Sequence, residues 1–481
     1  MDVTSPARAA DPEPRPDGPG TERGSRWIPV VIGATAVATL LVSFRIGTHG
    51  LWYDEGHTIG TVDRPVGDAL WRIANWELNQ SPFHLLILGW YRVVDTEGAL
   101  RAAPALFAVA SVPLTYALGR RLLGARVGAI AAVLLAVHPF VIEWGQQLRA
   151  YSMVLFLVLA ATLLLVQAVE RPTRLRIACY AVVAALAVYT HFFAALVLGA
   201  HALSLLLLRP GPRRLLVGAG VVGGVLLLPA LEFFLNRDGD PLEWVEETSQ
   251  TRLNATAGEL AGGNRLQLVV YGLAAVAGLY VLGRRALDRR DPDAAWRASL
   301  PVLVLVVPPA ATLLLSVTAK PLLEARFLIV AIPGLVLVAA AAIDRLSRPW
   351  AGLALAALVA TSAAGLWDWY DRPPFDQWRE AVAAVHDTAV TGDVVLTDPV
   401  RAGHVVRYYA ERDDLPVHVG YPEDMAEANP EQVHVIARFD DEVPVAGAGL
   451  RPDMAVWLAE RYDLVDEQVF AGVVVHRYDR R

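Results

Sequence analysis

Apolar residues fall along the chain in blocks of about twenty, broken by short connections that carry arginines. A helix rises ~1.5 Å per residue, so a block of that length crosses a bilayer. The pattern predicts spanning helices over 27–46, 99–119, 127–144, 150–169, 176–190, 192–208, 214–234, 265–283, 298–317, 325–343 and 349–367. One further apolar patch, 83–94, is shorter and carries His84 and Arg92. Residues 1–26 are rich in Pro, Gly, Asp, Glu and Arg, the composition of a disordered tail. The run at 27–44 has no small-residue cleavage motif after it, which predicts an uncleaved anchor helix. Past Trp367 the pattern changes. Helix-like periods (377–386, 402–411, 454–460) alternate with strand-like runs (394–397, 433–437, 472–476). The expected architecture is an all-α polytopic membrane bundle of about 11 transmembrane helices over 27–370, followed by a small α/β domain over 371–481.

Arginines set the expected orientation. Short loops rich in Lys and Arg stay on the cytoplasmic side. Arg120/Arg121/Arg126, Arg171/Arg174/Arg176, Arg209/Arg213/Arg214, Arg284/Arg285/Arg289/Arg290 and Arg345/Arg348 mark such loops, and Arg23 and Arg26 mark the N-terminal tail. All six regions fall on one side only if 83–94 lies along the interface as an amphipathic helix. The first external segment is then 47–98. The N-terminus is cytoplasmic, the C-terminal domain is extracytoplasmic, and the chain is a multi-pass protein of the plasma membrane.

Composition agrees with this pattern and removes other classes. Hydrophobic residues make up 55% of the chain, charged residues 19%, and mean hydropathy is +0.40, far from a soluble profile. The net charge of −7 comes without a basic block, so no nucleic-acid partner is expected. The single Cys179 forms no intrachain disulfide. No Cys or His spacing is that of a metal site, so no metal and no cofactor is required. A divalent ion at Asp54 and Glu55 is permitted but not indicated.

The candidate chemistry begins at Asp54 and Glu55, adjacent acids just past the first apolar run. The same orientation places Glu143, Arg149, His191, Glu232, Lys320, Glu324 and Arg326 at outer helix ends, level with that pair. Ionisable residues at membrane level are functional candidates. Carboxylates facing several cations suit glycosyl transfer from a lipid-linked phosphate sugar. One carboxylate takes the acceptor's hydroxyl proton, and cations neutralise the departing phosphate. Either Asp54 or Glu55 can be the base, and Arg149, Arg326, Lys320 and His191 can meet the phosphate. The bland alternatives are a solvated acidic loop, snorkelling arginines and a helix-end histidine. His138 and His201 lie deeper, where hydrogen bonds within the bundle are expected. Most of Trp52, Tyr53, Trp71, Trp76 and Trp90 fit an interfacial aromatic belt.

Five short stretches follow one another in order: Trp52-Tyr-Asp-Glu55, Ser81-Pro82-Phe-His-Leu-Leu, Leu100-Arg-Ala-Ala-Pro104, Leu118-Gly-Arg-Arg-Leu-Leu-Gly124 and Gln146-Gln-Leu-Arg-Ala-Tyr151. This order resembles the bacterial glycosyltransferases of the family 39 type, relatives of the protein O-mannosyltransferases and of the lipid A aminoarabinose transferase. The resemblance covers about 27–345 and implies the GT-C fold. It also implies a polyprenyl-phosphate sugar donor and transfer with inversion on the extracytoplasmic side. It makes Asp54 the base, beside Glu55, and gives roles to Arg149, Tyr151 and Arg326. The chain departs from the pattern at Asn79-Gln80-Ser81, where relatives often carry Glu, Lys or His before Pro. Glu77 or His84 are the local substitutes.

The expected function is an inverting glycosyltransferase that moves a hexosyl or pentosyl group from a polyprenyl-phosphate donor to an extracytoplasmic glycan, lipid or protein. Its expected partners are that donor, that acceptor and the lipid bilayer. The rival from another class is a glycolipid flippase that performs no chemistry. Against it, the chain shows neither an inverted repeat nor broken midplane helices. A third reading is a non-catalytic relative whose external domain binds a partner.

Overall fold

The computed structural model describes residues 26–208, 217, 220, 223–236, 244–288, 290–415, 417–420, 430–439 and 450–481. The expected tail over 1–26 lies outside them except for Arg26. So do Arg209, Arg213, Arg214, Arg289 and much of the expected span 214–234.

The bundle runs α1 (Ile28–Ser43), α2 (Tyr53–Val62), α3 (Val66–Asn75), α4 (Ser81–Trp90), α5 (Glu97–Leu122), α6 (Ala125–Ala136), α7 (Pro139–Gly145), α8 (Tyr151–Glu170), α9 (Arg174–Thr190), α10 (Ala194–Ser204), α11 (Leu228–Asn236), α12 (Gln250–Ala261), α13 (Arg265–Ala286), α14 (Pro292–Thr318), α15 (Ile332–Asp344) and α16 (Arg348–Asp371). A 3-10 turn, Ala325–Ala331, leads into α15. Among the described residues, six helical stretches are long and apolar enough to cross a membrane: α5, α8, α13, α14, α16 and the Ala325–Asp344 stretch. The stretch expected as one span over 127–144 is instead α6 and α7, bent by 57°. Pro139 explains the bend. It has no N–H to donate, and its ring crowds the carbonyl one turn back.

Residues 47–98 hold three short helices before α5, where the sequence pattern predicts one. The patch at 83–94 is α4, with Phe83, His84 and Ile87 buried and Leu85 and Leu86 exposed. The more strongly amphipathic helix is α3. It buries Ala69 and Ile73 and exposes Val66, Leu70 and Trp71, with Trp76 just beyond. An apolar stripe ending in tryptophans is the pattern of a helix lying in a membrane interface.

Past α16 the chain forms α17 (Trp378–His386), β1 (Val394–Asp398), α18 (Gly403–Arg412), β2 (His418–Val419), β3 (Gln432–Arg438), α19 (Pro452–Arg461), β4 (Tyr462–Phe470) and β5 (Val473–Arg480). The sheet order is β2-β1-β3-β5-β4. β1 is parallel to β2 and β3, and β5 is antiparallel to β3 and β4. The edge strand β4 has no counterpart in the sequence pattern. Asp463, Asp466 and Glu467 interrupt its alternation, and most of the strand is exposed. One side of this sheet packs on α19 through Val394, Leu396, Val433, Met454 and Leu458. On the other side, Trp378, Val405, Val406 and Tyr409 join the same buried core as Leu51, Ile59 and Leu148. The composition changes at 370/371, but the core continues across it.

Candidate active site

The acidic motif opens α2. Trp52 is its N-cap in an extended conformation, and Glu55 folds back to accept the Trp52 N–H at 3.2 Å. This bond satisfies one of the donors left open at a helix start. Glu55 is 0% exposed. Its carboxylate also accepts from Arg101 Nε at 2.8 Å, from Arg101 Nη2 at 2.5 Å and from the Leu148 N–H at 2.7 Å. Arg101, one turn into α5, further donates to the carbonyls of Ile46, His49 and Gly50. The role expected for Glu55 is to position the acceptor or the base. Its oxygens are occupied by four donors and closed from solvent. It is the internal post that ties 46–55 to the bundle.

Asp54 sits about 100° further back around the helix and points elsewhere. Its side chain is 24% exposed, and its Oδ2 pairs with Arg326 Nη1 at 3.0 Å. Arg326 comes from the 3-10 turn and lies over the Trp244 ring at 4.6 Å. Its Nε is 3.6 Å from Glu324, which Arg252 also engages. Arg149 completes the group. Its Nη1 donates to the Asp54 carbonyl at 3.0 Å and to Thr58 Oγ1 at 3.2 Å, and its Nε is buried without a partner.

Two further expected residues lie beside this group. Tyr151, buried at the start of α8, packs edge-on against Trp144 at 4.5 Å and meets His191 at 5.5 Å. His191 follows α9 and is enclosed by Tyr151, Phe193 and Phe327. The structure thus gathers Asp54, Arg149, Tyr151, His191 and Arg326. Lys320 lies half-buried just past α14. Among the described residues, the cation paired with the Asp54 carboxylate is Arg326. Glu143 pairs with Arg372 at 3.5 Å, and Glu232 is exposed on α11.

The departure at Asn79-Gln80-Ser81 has a structural use. Asn79 Oδ1 accepts the Phe192 N–H at 3.1 Å, and the Gln80 N–H reaches the Tyr189 carbonyl at 2.8 Å. Gln80 takes φ +77°, a left-handed conformation. The segment therefore docks on the turn that carries His191. Glu77 pairs with His57 Nε2 at 3.0 Å, and His57 stands one turn beyond Asp54. Burial alone raises the Glu77 pKa. The His57 hydrogen bond, with the charges of His57, His84 and Arg72, outweighs burial and brings it to about 2. His84 is fully buried, and burial lowers it to about 3.

Among the described residues, no three His, Cys, Asp or Glu side chains group as a metal site. His201 bonds Thr162 and Tyr180 within the bundle, as its depth suggests. His138 has neither ring nitrogen bonded, and its ring lies tilted 5.2 Å from that of Tyr271. Sequence reasoning missed Arg101, Thr58, His57 and Trp244 as neighbours of the acidic motif. Arg101 left a signal, since it is an arginine just inside an apolar run and within the Leu100–Pro104 stretch. The others are common residues in ordinary surroundings and leave none.

Residues 81–233 match the model of a family described as dolichyl-phosphate-mannose-protein mannosyltransferase. Among curated proteins, no sequence matches the chain at a significant level. Solved structures that share its fold include ArnT from Cupriavidus metallidurans bound to undecaprenyl phosphate. That structure has a TM-score of 0.59 at 13% identity, over 94% of this chain and 98% of its own. The archaeal oligosaccharyltransferase AglB from Archaeoglobus fulgidus, in complex with an inhibitory peptide and a dolichol-phosphate, has a TM-score of 0.57 at 12% identity. It covers 86% of this chain and 69% of its own. This chain has the GT-C fold of those membrane proteins and resembles the family 39 glycosyltransferases.

Proposed function

We propose that the chain is an inverting glycosyltransferase that moves a sugar from a polyprenyl-phosphate donor to an acceptor on the extracytoplasmic side. One observation carries the reading. Asp54 meets Arg326 and Arg149, from distant parts of the chain, at a partly open point, while the neighbouring acid Glu55 is fully engaged elsewhere. The solved relatives hold undecaprenyl phosphate in one case and dolichol-phosphate in the other, which supports a lipid phosphate as the leaving group.

The step balances as follows. The acceptor hydroxyl gives its proton to Asp54, and its oxygen attacks the anomeric carbon. The bond from that carbon to the phosphate oxygen breaks, and the polyprenyl phosphate leaves with the electron pair. Arg326 and Arg149 bind the phosphate, with Lys320 as a cation at the rim. Tyr151 and His191 form the wall behind it. A donor phosphate competes with Asp54 for Arg326, so donor binding releases the base. The reading requires no metal, because guanidinium groups supply the positive charge.

The finer features belong to the same proposal. They are eleven spans, a cytoplasmic N-terminus, α3 and α4 in the outer interface, and an external domain over 371–481. The transferred group is a hexose or pentose, and the acceptor is a cell-envelope glycan, lipid or protein. The experiment supplies membranes containing the chain with labelled polyprenyl-phosphate sugar and cell-envelope acceptors. Labelled product from wild type and none from Asp54→Asn is the expected result. Label that crosses the bilayer without transfer supports a flippase instead. Turnover equal to wild type in Asp54→Asn removes Asp54 as the base.

A further inference from the structure

The C-terminal domain touches the acidic motif more closely than a tethered acceptor-binding module needs to. Three consecutive N–H groups enter α2. The middle one, from Trp52, is satisfied by Glu55. The other two are satisfied by the C-terminal domain. Tyr409 Oη, from α18, accepts the Leu51 N–H at 2.6 Å. Asp376 Oδ2 accepts the Tyr53 N–H at 2.8 Å. Both acceptors are themselves held. The Tyr409 hydroxyl donates to Glu97 Oε1 at 3.1 Å, and Arg379 donates to the same oxygen at 2.8 Å. Asp376 also accepts from Trp378 Nε1 at 3.1 Å and from Arg438 Nε at 3.3 Å, and Arg438 lies 5.0 Å over the Tyr53 ring.

The side of α2 agrees with its entry. Gly56 and Gly60 are one turn apart and face α18. A Cβ at Gly56 would stand 2.6 Å from Val405 Cβ, and one at Gly60 would stand 2.2 Å from His404 Cγ. Only glycine permits that approach. Asp54 and Thr58 lie about 200° round the helix from these glycines, on the face that meets Arg149 and Arg326. The helix is therefore held between two bodies, the C-terminal domain on its glycine face and the bundle cations on its Asp54 face.

We propose that the C-terminal domain positions the acidic motif. Tyr409 and Asp376 are positioning residues that fix where α2 begins, and so where Asp54 stands relative to Arg326. The catalytic consequence rests on Asp54 being the base. A base displaced by about 1 Å loses roughly 10²-fold in rate. A change in this clamp therefore lowers kcat without weakening donor binding, because a displaced Asp54 competes less with the donor phosphate for Arg326.

The test uses the full-length chain in lipid nanodiscs, with the isosteric variants Tyr409→Phe and Asp376→Asn. Two quantities are read: hydrogen exchange of the segment 50–56, and the kcat and KM of sugar transfer from a polyprenyl-phosphate sugar. The proposal expects both variants to speed exchange in 50–56 and to lower kcat at least about tenfold, with donor KM not raised. Unchanged exchange in α5 and α8 of the same variants separates loss of the hydroxyl from a general loss of fold. Unchanged exchange in both isosteric variants overturns the clamp. Faster exchange with wild-type kcat overturns its positioning role. A raised acceptor KM at unchanged kcat also overturns it, in favour of acceptor binding. If wild type transfers no sugar while exchange rises as expected, the positioning of α2 stands and the glycosyltransferase reading falls.

Discussion

The Asp54 carboxylate lies 3.0 Å from the Arg326 guanidinium, across 272 positions of sequence. In this arrangement the proposed base is neutralised by the proposed phosphate ligand. A phosphate that draws Arg326 away leaves Asp54 beside the incoming hydroxyl.

Removing the base tests this first. Asp54→Asn keeps the size of the side chain, and Asp54 is partly exposed, so the protein is expected to accumulate normally. Transfer is expected to fall by about 10²–10⁴-fold, the usual contribution of a positioned general base. Initial rates at saturating donor, set against protein amount in the membrane, decide it.

The same site distinguishes the two cations by shape. Arg326→Lys keeps the charge but loses the planar fork that grips a phosphate through two hydrogen bonds. Donor KM is expected to rise about tenfold, with kcat reduced less. A donor titration checks this, and an unchanged KM removes Arg326 from the phosphate site.

Glu55 gives the opposite signature. Breaking a buried ion pair from one side leaves an uncompensated charge, at about 3–5 kcal/mol. Glu55→Gln and Arg101→Met are each expected to lower the unfolding midpoint strongly, and the double variant is expected to lose less than their sum. Thermal unfolding in detergent measures all three. A stable Glu55→Gln protein with lost turnover would return Glu55 to the chemistry.

Acid is expected to loosen the segment 47–98 through His84. Burial holds its folded pKa at about 3, against 6.5 when unfolded. The unfolded chain therefore takes up a proton below pH 6.5 that the folded chain refuses, so stability falls as pH drops from 6.5 toward 3. The slope is at most about 1.4 kcal/mol per pH unit. Glu77 acts lower. Its folded pKa of about 2 lies under its ordinary value, so its contribution is present above 4.5 and lost between there and 2. Unfolding midpoints measured from pH 7 to pH 4 are expected to fall less steeply in His84→Gln than in wild type.

Chelation addresses the charge on the leaving phosphate. With guanidinium groups in that role, EDTA is expected to leave initial rates within about twofold of the untreated value. A rate that collapses with EDTA and returns with a divalent ion would place a metal beside Asp54.

Much of this was legible in the sequence, for physical reasons that are local. A bilayer demands apolar runs of fixed length, so α5, α8, α13, α14 and α16 appear in the pattern with nearly their final bounds. The strands at Val394, Gln432 and Val473 and the helices at Trp378, Gly403 and Pro452 show through their own periodicity. The ordered motifs pointed to the GT-C fold. The amphipathic helix Val66–Asn75 escaped notice because its apolar stripe is interleaved with Asp68, Arg72 and Asn75. The break at His138–Pro139 was read through because the apolar residues on its two sides together make a run of spanning length.

The sequence by itself determined that two adjacent acids follow the first apolar run and that cations recur at the ends of later ones. It did not determine which acid is available. Asp54 and Glu55 are adjacent and chemically alike, and local pattern treats them as one pair. Tertiary structure separates them. A helical step turns them apart, Arg101 and the Leu148 amide close over Glu55, and Arg326 arrives from the far end of the chain to meet Asp54. Those pairings depend on distances between residues far apart in the chain, and no local periodicity records them. The same holds for the Tyr409 and Asp376 contacts, by which a domain that looks separate in composition grips the motif at the start of the chain.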